Sequence, residues 1–109
     1  MEKTERERLK KRYSSYFNNV RTIINEYDPV GLIASGAPID EHDTLTERVL
    51  ILLVNNEMDK VRQLLIDCYE WYGMGGEIKE EYKEKFNRKV DNTYQKLYEI
   101  YKEYRNSNE

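Results

Sequence analysis

The stretch EIKEEYKEKFNRKVDNTYQKLYEIYKEY, residues 77–104, decides the fold class. Tyr82, Phe86, Val90, Tyr94, Leu97, Tyr101 and Tyr104 recur at steps of four and three, with Glu and Lys filling many of the positions between them. At about 3.6 residues per turn these seven share one side of an α-helix, whereas a strand would need alternation at every second residue. One helix from Glu77 to Tyr104 is roughly 40 Å long at about 1.5 Å per residue. Its apolar stripe needs partners, and the rest of the chain supplies the same periodicity.

Working back from this helix, Met58, Val61, Leu64, Leu65, Cys68, Tyr69 and Tyr72 predict a shorter amphipathic helix. Gly73-Met-Gly-Gly76 ends it, because glycine takes the left-handed geometry of a C-cap. Thr44-Leu-Thr-Glu47 has the spacing of a capping box and predicts a helix start, with Leu45, Val49, Leu52 and Leu53 as the buried face and Asn55-Asn56 as the end. Leu9, Tyr13, Tyr16, Phe17, Val20, Ile23, Ile24 and Tyr27 predict a long first helix from Glu5 to Tyr27. Asp28-Pro29 stops it, and Asp28 is placed to cap a short helix over Val30 to Ser35, which Gly36 and Pro38 terminate. The expected fold is all-α, an irregular bundle of four principal helices plus one short helix. It forms a single helical domain over residues 1–109, with fraying expected at 1–5 and 105–109.

A chain of 109 residues builds one ordinary hydrophobic core. Charged residues make up 36% of it, yet the net charge is only −3, and this mixture predicts no general affinity for nucleic acid. Met-Glu-Lys-Thr-Glu-Arg-Glu-Arg at the start has no apolar run behind its charges, as a signal peptide would. The longest apolar run, Val49 to Val54, is too short to span a bilayer. Cys68 is the only cysteine, so no internal disulfide or thiol pair is expected, and a reducing, cytoplasmic location fits. Ten tyrosines against two phenylalanines and one tryptophan fit either an A+T-rich coding sequence or a binding surface, where tyrosine is enriched.

Catalytic patterns are hard to find. Nucleophilic catalysis needs a Ser, Thr or Cys beside an oriented His, but His42 is the only histidine and Cys68 lies on an apolar stripe. Gly73-Met-Gly-Gly76 lacks the spacing of a phosphate loop. Asp40-Glu41-His42-Asp43 gathers oxygen ligands that suit a hard cation, and with Asp28 it is the one candidate for metal-dependent chemistry. Its register matches no calcium loop, and an acidic loop beside a helix N-terminus explains it as well. The expectation is no enzyme, no cofactor and no resident metal.

Charge placement says more. From Glu26 to Glu47 the chain carries Glu26, Asp28, Asp40, Glu41, Asp43 and Glu47 and no Lys or Arg, while six Lys or Arg against three Glu give the first twelve residues a net +3. A negative face would steer a basic partner. Solvated acids near helix N-termini are the alternative. Trp71, off the best stripe and next to Tyr72, either closes a second side of the core or serves as an exposed anchor.

Tyr27-Asp-Pro-Val-Gly-Leu-Ile33 followed by Gly36-Ala-Pro-Ile-Asp-Glu-His-Asp43 resembles the signature of a family of small helical bacterial proteins. That signature runs aromatic-Asp-Pro-x-Gly-Leu, then Gly-Ala-Pro-x-Asp-Glu-aromatic-Asp, then two amphipathic helices. About seventeen residues match closely and the next thirty by pattern, with His42 where an aromatic is usual. Proteins with this block are similar to immunity proteins of contact-dependent growth inhibition and related toxin systems. The resemblance implies a protein that neutralises a cognate toxin domain, such as a nuclease, by stoichiometric occlusion. Asp28, Asp40, Glu41, His42, Asp43, Glu47, Trp71 and Tyr72 are then the expected partner-binding residues. The alternative is a helical adaptor that acts through homodimerisation or another protein partner.

Overall fold

The computed structural model describes residues 7–8, 11–71 and 80–107. Among them the architecture is all-α, with α1 at Ser14–Tyr27, α2 at Asp43–Val54, α3 at Val61–Trp71 and α4 at Glu80–Ser107. Single 3-10 turns sit at Pro29–Gly31 and Met58–Lys60. The 28 residues of α4 are about 42 Å long at the standard rise. That matches the longest dimension of the molecule, 44 Å. Against this spine pack α1 and α3, and α2 closes the bundle on α1 and α3.

Each helix turns most of its predicted stripe inward, the exception among the described residues being Tyr82, which stays exposed at the start of α4. Phe17, Val20, Ile24 and Tyr27 of α1 meet Leu45, Val49, Leu50 and Leu53 of α2, Leu65 and Cys68 of α3, and Val90 and Leu97 of α4 in one buried cluster. Rings extend that cluster along the seams. Tyr16 stacks on Tyr104 with centroids 4.1 Å apart and planes 18° from parallel, and Tyr13 meets Tyr104 edge-on at 6.1 Å. Tyr69 stands edge-on to both Tyr27 and Phe86, at 6.3 and 5.1 Å. Most of the described tyrosines therefore work as wedges between helices, and among them only Tyr82 and Tyr98 are exposed. Cys68 is fully buried, its Sγ donates to the Leu65 carbonyl at 3.2 Å, and burial pushes its thiol up to about 12. A thiol so placed packs and does not attack.

Local geometry departs from expectation at the element ends. The long first helix is interrupted at Tyr13, where φ is −122° and ψ is 40°, and α1 starts afresh with Phe17 N donating to Tyr13 O at 2.7 Å. In place of a short helix over Val30 to Ser35 there is the 3-10 turn at Pro29–Gly31 followed by turns to Gly36. α2 starts at Asp43, with His42 in the N-cap position, so Thr44 lies inside the first turn and out of register for a capping box with Glu47. Asn55 and Asn56 do end α2, Asn56 in the left-handed region at φ 60°. α4 continues past Tyr104 to Ser107, and Arg105 and Tyr101 both donate to the Asn56 side-chain oxygen, which ties the end of α4 to the α2–α3 turn. Residues 77–79, Tyr72 and the Gly73–Gly76 cap lie outside the described residues. None of the described helices is long and apolar enough to cross a membrane.

Candidate functional site: the loop from Asp28 to His42

Leaving α1, the backbone enters an uncommon conformation. Asp28, Val30 and Gly31 all have positive φ, at 45°, 53° and 68°. Glycine adopts this region freely, but a β-branched residue such as Val30 resists it, at a cost on the order of 1–3 kcal/mol. Such a conformation persists only where the surroundings enforce it.

The Asp28 carboxylate is what enforces it. Its Oδ1 accepts from the Ile33 amide at 2.8 Å and from His42 Nε2 at 2.8 Å, and its Oδ2 accepts from the Ala34 amide at 3.0 Å. Hydrogen bonds to an ionised group contribute about 1.5–3 kcal/mol each, so three of them outweigh one strained valine. Burial alone would raise the carboxyl pKa, but the bonds from His42, Ala34 and Ile33 prevail and hold it below the usual carboxylate range. Asp28 is thus a hub for amides five and six residues ahead rather than the cap of the next turn. Pro29, which has no N–H to satisfy, opens that turn. Gly36, at φ 104°, reverses the chain so that Ala37 N reaches Leu32 O at 2.9 Å.

The returning strand of the loop is fixed at three points. His42 is fully buried and adds the bond to Asp28. Asn25 Nδ2 donates to the Ile39 carbonyl at 2.8 Å. Arg21 forks onto Asp43, Nε to Oδ1 at 2.9 Å and Nη2 to Oδ2 at 2.6 Å, and this pairing raises the guanidinium pKa further. The same guanidinium lies 5.3 Å over the Phe17 ring.

The expected binding residues therefore divide. Asp28, His42, Asp43 and Glu47 are buried and brace the loop or the start of α2, so they offer no surface to a partner. Asp40 and Glu41 are exposed at the loop's far end. Trp71 is 42% exposed at the end of α3, with the Arg48 guanidinium 4.4 Å over its ring. Tyr72 lies outside the described residues. The six acids from Glu26 to Glu47 do not make a continuous negative face. Asp28, Asp43 and Glu47 turn inward, and Glu26 pairs with Lys96 at 3.5 Å. Nor do Asp28, Asp40, Glu41, His42 and Asp43 converge as ligands: among the described residues no group of three or more His, Cys, Asp or Glu could hold a metal ion.

Three residues of the loop's framework, Arg21, Asn25 and Ile39, escaped the sequence analysis. Arg21 carried a signal, being the only Lys or Arg between Arg12 and Arg48, so any buried acid of the loop had one nearby cation to find. Asn25 bonds to a backbone atom and leaves no mark in the sequence. In comparisons with known proteins the chain matches no family model, and neither a curated protein nor a solved structure is similar to it.

Proposed function

We propose that this protein works by binding, as a cytoplasmic immunity protein that neutralises a cognate bacterial toxin domain by occupying its surface. One observation carries this reading. The loop from Asp28 to His42 spends buried polar groups and strained backbone on holding one shape, and the segment so held, Pro38 to Glu41, is exposed. A segment ordered before it meets a partner loses less entropy on binding than a floppy one. No catalytic step is needed for such a role.

The test is stoichiometric. Purified protein mixed with the toxin domain encoded beside its gene should form a one-to-one complex and abolish the toxin's activity in proportion to the amount bound. A neighbouring toxin domain that is neither bound nor inhibited removes the proposal. Tyr82 and Tyr98, exposed along α4, favour a second reading as a homodimerising adaptor. Sedimentation of the free protein distinguishes the two, because the adaptor is a dimer without any partner.

A further inference from the structure

We infer that Ile39, with Asp40 and Glu41 beside it, is the anchor of the partner contact, and that the partner offers an apolar socket rimmed by lysine or arginine side chains. The inference rests on the binding role proposed above and names its surface.

Ile39 is 67% exposed, the largest fraction among the exposed large hydrophobic residues that the structure describes. Others in that group have company or a polar end. Trp71 lies under Arg48, Tyr98 has the Lys102 ammonium 4.9 Å over its ring, and Tyr82 carries a hydroxyl that water satisfies. Ile39 has neither. Its backbone is nevertheless held by hydrogen bonds on both sides. Its own carbonyl accepts from Asn25, Glu41 N donates to Pro38 O at 3.0 Å, and Asp43 N donates to Asp40 O at 3.1 Å. Two overlapping turns thus hold an aliphatic side chain out in water, where it gains none of the stabilisation that burial would give.

The charges identify what covers it. Of the six acids in the segment, Asp40 and Glu41 are the two that are exposed and enter no ion pair among the described residues. Any partner that seats Ile39 must also strip water from carboxylates next to it, which is unfavourable unless cations replace that water. A second copy of this chain docking tip to tip would oppose four carboxylates, so self-association is not the use of this surface. A metal ion is also a poor occupant, since no third ligand converges there among the described residues.

The experiment measures binding of the full chain and two variants to the toxin domain encoded beside its gene, as a function of salt. Ile39→Ser should weaken binding by roughly 10- to 100-fold, mainly through faster dissociation, as expected for loss of a buried aliphatic anchor. Asp40→Asn with Glu41→Gln should slow association and flatten its salt dependence. Asn92→Ala, exposed on α4 away from Tyr82 and Tyr98, should bind as the parent does, and unchanged helicity of every variant shows that each is folded. If the parent binds and both tip variants stay within twofold of it, the anchor is elsewhere and the inference is overturned while the immunity role stands. If the parent itself does not bind, both fall together.

Discussion

The seam between α1 and α4 is closed by rings and aliphatic side chains, with Tyr16 stacked on Tyr104 and Val20, Val90 and Leu97 buried, whereas the loop from Asp28 to His42 is closed by directional polar bonds, three of them to the Asp28 carboxylate. The first kind of contact scales with area, has no direction and is indifferent to pH. The second is directional and depends on a charge. The seam can thus absorb small changes of shape, while the loop has one geometry or none. For a display segment that rigidity is useful, and it concentrates sensitivity in Asp28.

Leu97→Ala strikes the seam where α4 crosses the core and should have the largest effect, a loss of about 3 kcal/mol from the removed side chain and the cavity it leaves. Denaturant melts would show it as a lower midpoint with an unchanged slope, and a loss below about 1 kcal/mol would mean that the seam collapses around the gap. Asp28→Asn should cost somewhat less, about 2 kcal/mol, but with a distinct local signature. The amides of Ile33 and Ala34, which donate to this carboxylate, should lose exchange protection well beyond the global change. If they stay protected, the backbone turns alone hold the loop.

Acid separates the two regions more finely. Because the Asp28 carboxyl is lowered in the folded protein, its contribution is fully present above the ordinary carboxyl value and is lost as pH falls through the lowered one. The stability gap between parent and Asp28→Asn should therefore narrow as pH falls below the ordinary carboxyl value, while the gap between parent and Leu97→Ala should not. A pH-independent gap for Asp28→Asn would show that the asparagine loses shape complementarity and not charge.

The same contrast explains what could be read from residues alone. Stripes such as Val20-Ile24-Tyr27 and Val90-Leu97-Tyr101 announce a helix because packing by area leaves a period in the sequence. Loops held by single bonds leave none. Asp28-Pro29 marked a boundary correctly, but nothing local told that its carboxylate would reach Ala34 and His42. Thr44 and Glu47 had the spacing of a cap, yet α2 starts at Asp43, the residue on which Arg21 forks from a neighbouring helix. A run of acids looked like a surface because a linear count cannot tell which side chains turn inward. Ile39 looked like one more loop residue until its exposure was known.

The smallest predicted effects belong to two tyrosines of α1 and differ in sign. Tyr27 donates its hydroxyl to the Leu65 carbonyl at 2.7 Å, while the Tyr16 hydroxyl is buried with no hydrogen-bond partner among the described residues. Burial raises the pKa of both phenols, so both remain protonated donors at any ordinary pH. Replacing Tyr27 by Phe removes a satisfied bond, although the Leu65 carbonyl keeps the Cys68 thiol as a donor, and the expected loss is about 1 kcal/mol. Tyr16→Phe keeps the ring on Tyr104 and removes only a dehydrated hydroxyl, so stability should rise by up to about 1 kcal/mol. Paired melts of the two variants check this directly. Equal losses from both would mean that the Tyr16 hydroxyl finds a partner in solution, and the seam would then not be closed by area alone.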